Sequence, residues 1–258
     1  MSDLGKLIEA VNIPKRVIDG AEKFLGKLLG PAITETGELI SDQIRFRRFK
    51  NQVTIFTKAN DLISSRGLEP TQVNLKTLAP LIEYSSLEED EKMQVIWANV
   101  IANISTTDAE QAFDLKCIEV LKEITPNEIL LLDHLYTKFK HEEIRKLEKW
   151  KESDHQVLRV KKFVPVDYIT FAPSVIRNTL KFSEEKMALY VDRLISFGII
   201  KYEQPELDES SSDQVIQDIF SGTKQSVSVK SYDLNISDSI HFSNFGIYFV
   251  KLCKFNPS

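Results

Sequence analysis

Apolar residues recur every three to four positions through most of this chain, a period that predicts a protein built mainly from α-helices. Residues 14–29 give one clean stripe, with Val17, Ile18, Ala21, Phe24, Leu25, Leu28 and Leu29 on a shared face. Pro14 suits the first helical turn, and Lys15, Arg16, Lys23 and Lys27 fall mostly outside the stripe. Gly20, Gly26, Gly30 and Gly37 interrupt otherwise good helix, at about 1 kcal/mol each relative to alanine. Pro31 opens a second helix that the pattern carries to Arg66, with Gly67 as its stop. Its inward face reads Ile33, Leu39, Ile40, Phe46, Phe49, Val53, Phe56 and Ile63.

A shorter helix is expected over 74–84, with Pro80 near its start or at a kink. Ser86 and Glu89 have capping-box spacing ahead of a helix whose buried face is Met93, Ile96, Trp97, Val100, Ile101 and Ile104. After a loop at 105–108, another helix carries Phe113, Cys117, Val120 and Leu121. Thr125-Pro126-Asn127-Glu128 joins a capping box to a proline at the first helical position, the strongest helix start in the chain.

The pattern changes character from there. A helix through Leu130, Leu131, Leu135 and Phe139 extends into a charged stretch at 141–152, and a β-leaning segment follows at 163–171. Residues 173–180 predict a short helix. The next helix is capped by Ser183, stapled by Phe182 onto Met187, buries Met187, Val191, Leu194 and Ile195, and ends at Gly198. Strands are expected at 199–203, 227–231 and 236–242, with a final helix capped by Ser243. The acidic, serine-rich stretch 204–226 reads as a mobile loop. Helix, short helix, helix ending in Phe-Gly, then a two-stranded ribbon is the order a winged helix requires. The expected architecture is therefore mainly α with a small β wing: a helical domain over 1–124 and a winged-helix-like domain over 125–258.

Composition adds bounds. The 258 residues are 42% hydrophobic and 28% charged, with a net charge of −5, which fits a foldable chain and makes no bulk polyanion binder. Cys117 and Cys253 have no CxxC spacing and read as small buried hydrophobes in a reducing compartment. No signal peptide and no apolar run of membrane-spanning length is visible. The expected location is the cytoplasm. The basic amphipathic helix 14–29, with Gly26 and Gly30 at small-xxx-small spacing, raises peripheral contact at the inner membrane as an alternative.

Two stretches are more specific than a fold. One is IRFRRFKNQVTIFTKANDLISSRGLEP at 44–70 with the VNLKTLAPLIEYSS that follows, and the other is LEEDEKMQVIWANVIAN at 87–103. Together they resemble the abortive-infection alpha family of bacterial phage-defence proteins, which share a basic-aromatic R-F-x-R-F-K-N-Q helix and an acidic-to-W-A-N-x-x-A-N helix. The resemblance is dense over residues 25–125 and looser beyond. It implies a role in antiphage defence by stopping growth or killing the infected cell, and it carries over no catalytic residue.

Arg45, Arg47, Arg48 and Lys50 cluster among Phe46 and Phe49. They suit either a polyanion or phospholipid contact or a basic rim whose stems cover apolar surface and whose charges pair with acids such as the 88–91 run. Asn99 and Asn103 lie at i and i+4, and they could recognise a ligand or satisfy backbone groups of a neighbouring helix. The helix from Ser183 carries Glu184, Glu185 and Asp192 against Lys186 and Arg193, the wrong balance for reading DNA. Catalytic motifs are missing: His141-Glu142-Glu143 is followed by Arg145 where a zinc protease needs histidine, and there is no phosphate loop, nucleophile elbow or metal-ligand spacing. The reading thus leans to a binding protein without cofactor or metal. Its expected partner is a phage or host protein, nucleic acid is the less favoured partner, and self-association is left open.

Overall fold

The computed structural model describes residues 13–29, 42–106, 111–152, 170–203, 206–217, 224–235 and 239–254. The protein is mainly helical. The helices are α1 (Lys15–Leu29), α2 (Asp42–Ser65), α3 (Leu75–Ser85), α4 (Glu91–Thr106), α5 (Gln111–Leu121), α6 (Pro126–Glu152), α7 (Pro173–Leu180), α8 (Glu184–Ser196) and α9 (Asn244–Cys253). The strands are β1 (Ile200–Tyr202), β2 (Glu206–Gln217), β3 (Lys224–Asn235) and β4 (Ile240–Phe242). The chain divides into two compact units, one from the residues within 1–138 and 244–258, the other from 139–243. The units do not part at the expected 124/125. α6 runs from one into the other, and α9, which follows the last strand, belongs to the first.

In the first unit, α1 packs on α2, α2 on α4, and α9 on α4 and α5. The stripe of α1 is inside: Ile18, Ala21, Phe24 and Leu28 are buried, and the Phe24 ring lies 6.4 Å from that of Phe56. Burying side chains of that size stabilises by about 1.5–3 kcal/mol each, so this face is a packing surface. The Val73 amide donates to the Leu28 carbonyl at 3.0 Å, satisfying one of the last carbonyls of α1. Trp97, Ile101, Leu78, Leu81 and Ile118 fill the centre.

Helix starts divide between those the sequence marks correctly and one it does not. At α6 the capping box forms as read: the Thr125 amide donates to Glu128 Oε2 at 2.7 Å, and the Glu128 amide reaches Thr125 Oγ1 at 3.4 Å. At α4 the expected Ser86–Glu89 box does not form. Asp90 caps instead, its Oδ1 accepting from the amides of Lys92 and Met93 at 2.9 and 3.0 Å. Ser86 ends α3, its own amide bonding back to the Ile82 carbonyl. Several apolar residues of the helices face outward, among them Phe113 at 46% exposed and Leu130 at 47%. Leu131, Leu132 and Leu135 supply the buried side of α6.

In the second unit, α7 and α8 lie beside a small antiparallel pairing in which β4 is central. Ile200, Lys201 and Tyr202 of β1 oppose Phe242, His241 and Ile240, and Phe171 bridges to the other side of Ile240. Ile176, Met187, Val191, Leu194, Ile199 and Phe242 form the core. Ser183 caps α8 as read, and the Phe182 ring lies 5.3 Å from that of Tyr190. Gly198, at φ 76°, makes the left-handed turn between α8 and β1, and Ser243 donates its hydroxyl to the Gly198 carbonyl at 2.5 Å.

The expectation of a loop at 204–226 is corrected by β2, which covers 206–217 and pairs residue for residue with β3, from Glu206 opposite Asn235 to Gln217 opposite Lys224. Acidic and serine-rich sequence has low strand propensity, but the backbone bonds come from the partner strand, which holds Val227 and Val229. The expected β segment at 163–171 lies outside the described residues except at 170 and 171.

Candidate functional site

The basic-aromatic motif lies on α2 and turns toward the α3–α4 junction. Arg48 Nε donates to Ser86 Oγ at 2.8 Å, and its Nη2 reaches the Glu83 carbonyl at 3.4 Å. One turn on, buried Asn51 donates to the Ser86 carbonyl at 3.0 Å and accepts from Gln94 Nε2 at 3.3 Å. Gln94 also donates to the Glu88 carbonyl at 2.9 Å. Arg47 pairs with Glu89 at 3.2 Å, with both side chains largely exposed. These groups clasp the turn that joins α3 to α4: the arginines reach its outer side while Asn51 and Gln94 hold its backbone from within.

The four basic candidates therefore separate. Arg48 is part-buried in the clasp, Arg47 makes a solvent-screened pair, and Lys50 is exposed. Arg45 lies on α2, but its side chain is outside the described residues. Asn51 and Gln94 belong to the two motifs, and sequence reasoning gives neither a role. The available signal was an amide at each of two positions that the helical period places inward.

Asn99 and Asn103 act together on one target. Asn99 Nδ2 donates to the Cys253 carbonyl at 2.8 Å, and Asn103 Nδ2 to the carbonyls of Leu252 at 2.8 Å and Lys254 at 3.2 Å. The last carbonyls of a helix have no partner within it, and these amides supply one at the end of α9. Nearby, buried Asp114 accepts from the Tyr248 hydroxyl at 2.6 Å. Burial pushes the Asp114 carboxyl above its ordinary value, partly offset by that hydrogen bond. The sequence signal for Asp114 was a carboxylate on the same face as Cys117, Ile118 and Leu121. Both cysteines are buried free thiols, raised well above the ordinary thiol range by burial.

Among the described residues no group of three or more His, Cys, Asp and Glu could hold a metal ion, and no helix is long and apolar enough to cross a membrane.

A mainly helical first unit held together by a clasp on the R-F-K-N-Q helix and by two asparagines of the W-A-N-x-x-A-N helix places both motifs in one architecture. The family described as abortive infection alpha matches residues 41–253, most of the chain, and the protein belongs to that family. No curated protein and no solved structure matches it.

Proposed function

We propose that the protein serves in antiphage defence of the abortive-infection type, acting in the cytoplasm by binding a phage or host protein rather than by catalysis. Membership of the abortive infection alpha family supports the defence role. The binding half rests on the second unit, read as a winged-helix-like module. Its order of α7, α8, β1, the antiparallel pair β2 and β3, and β4, with Phe171 and β1 flanking β4, is the order such a module uses.

The observation that carries a protein partner is the outer surface of α8. Glu184, Glu185 and Asp192 are exposed there beside Leu189, which is 61% exposed, against Lys186 and Arg193. Phosphates bind where cations gather, so this helix opposes nucleic acid, and an acidic face with an apolar member favours a protein. The membrane alternative loses its motivation, since the apolar stripe of α1 is already occupied within the first unit.

The test is a phage challenge of cells expressing the chain, scored for plaques and for culture survival. Protection at low phage dose with culture collapse at high dose supports the reading. Absence of protection across a broad phage panel removes the defence role.

A further inference from the structure

A groove of about 320 Å³ opens on the second unit along α8, between that helix, the start of α7 and the edge of the small sheet. One stripe of α8 forms its floor: Glu184, Ala188 and Asp192 at successive turns, with Met187 and Val191 beside them. Glu184 at one end is neutralised by Arg177 at 2.8 Å. Asp192 lies eight residues along the helix, roughly 12 Å away at 1.5 Å per residue. Its exposed carboxylate has no hydrogen-bond or ion-pair partner among the described residues. Tyr202, 49% exposed, puts an aromatic side chain into the same groove, and Ala188 at its middle leaves room.

An unpaired carboxylate, an aromatic ring and an apolar floor suit one side chain above others. Arginine has an apolar stem, a planar head that stacks on an aromatic ring, and a fork of donors that fits a carboxylate. Lysine supplies the charge without the plane. We infer that this groove is a receptor for an arginine-bearing segment of a partner protein, with the guanidinium held between Asp192 and Tyr202. The inference deepens the protein-binding reading of the second unit and rests on it. A phosphate-rich partner would meet net negative charge here, since Arg177 is already engaged.

The test titrates the full-length purified chain into a fluorescein-labelled short peptide alternating arginine and leucine, with the glutamate–leucine peptide as control. Saturable anisotropy change with the arginine peptide is expected, weakening as salt rises, and none with the glutamate peptide. Asp192→Asn and Tyr202→Ala should each weaken binding about tenfold, and Ala188→Phe should block it. Glu185→Gln changes the same net charge on α8 outside the groove and should stay within about twofold. Equal weakening by Glu185→Gln and Asp192→Asn would reduce the effect to bulk charge and overturn the assignment, as would no binding or equal binding of the glutamate peptide. Self-association abolished by Asp192→Asn in sedimentation would make the occupant a second copy and overturn it too. Because binding is read on purified protein, its loss with phage protection intact overturns the groove alone. Binding without protection supports the groove and removes the defence role.

Discussion

Asn103 donates its side-chain amide to the carbonyl of Leu252 at 2.8 Å, across 149 positions of sequence. The bond is buried, and it ties the end of α9 to the last turn of α4. With Asn99 on the Cys253 carbonyl, two residues one turn apart give the closing helix its C-terminal partners. An i, i+4 amide pair read as a candidate ligand site is therefore engaged by the protein's own backbone.

Asn103→Ala should leave the Leu252 carbonyl buried without its donor and destabilise the first unit by about 1–3 kcal/mol. Asn99 is only half-buried, so Asn99→Ala should have the smaller effect. Urea midpoints of the two variants, with unchanged slope, check the order. Equal and negligible shifts would mean that α9 is held by its apolar contacts alone.

The clasp at the α3–α4 turn separates stability from surface charge. Asn51→Ala should cost about 1–3 kcal/mol because Asn51 is buried between the Ser86 carbonyl and Gln94. Arg47→Ala removes a pair exposed on both sides and should change stability by no more than about 1 kcal/mol. Thermal melts of both variants decide it, and a larger loss for Arg47 would show that the outer pair, not the inner amides, holds the turn.

Thr125→Ala removes one half of the capping box that starts α6 and should destabilise by about 0.5–2 kcal/mol. Thr125→Ser, which keeps the hydroxyl, should recover most of the loss. Chemical denaturation of the pair reads this directly, and a serine variant no better than alanine would point to packing of the methyl group instead.

Asp114 gives the protein a pH dependence with a definite sign. Its folded-state value is raised, so its contribution is fully present below the ordinary carboxyl value of 3.8 and is lost as pH rises through the folded value. Asp114→Asn keeps an acceptor for the Tyr248 hydroxyl and cannot ionise. The variant should gain stability relative to the natural chain as pH rises from acid to neutral, with the gap closing in acid. A gap independent of pH in urea titrations would place the effect in packing.

Much of the fold was legible because helices announce themselves locally. The period of apolar residues found α1, α2, α4, α6 and α8, and Thr125-Pro126 and Ser183 marked their starts correctly. At α4 the sequence marked Ser86, while Asp90 is the cap, because Ser86 is used up at the end of α3. The strand expected at 227–231 falls within β3, whereas β2 was missed because it has the composition of a loop and gains its bonds from its partner strand. The mainly helical character could be read, but the allegiance of α9 could not. Nothing local in FSNFGIYFVKLC says that its carbonyls will meet amides at 99 and 103. The same limit applied to the candidate site: the basic cluster was visible as charge, while Asn51 and Gln94, which give it a structural task, were visible only once α2 lay beside α4.

The allegiance of α9 also sets an order in time. Domains made by the ribosome usually fold in sequence, the leading one first. Here the leading unit lacks its closing helix until everything from 139 to 243 has been synthesised. During that interval Asn99, Asn103 and Asp114 have no Leu252, Cys253 or Tyr248 to meet, and the surface α9 will cover stands open. A nascent chain interrupted anywhere within the second unit is thus left with an unfinished first unit, so the unit that starts first is the last to be completed.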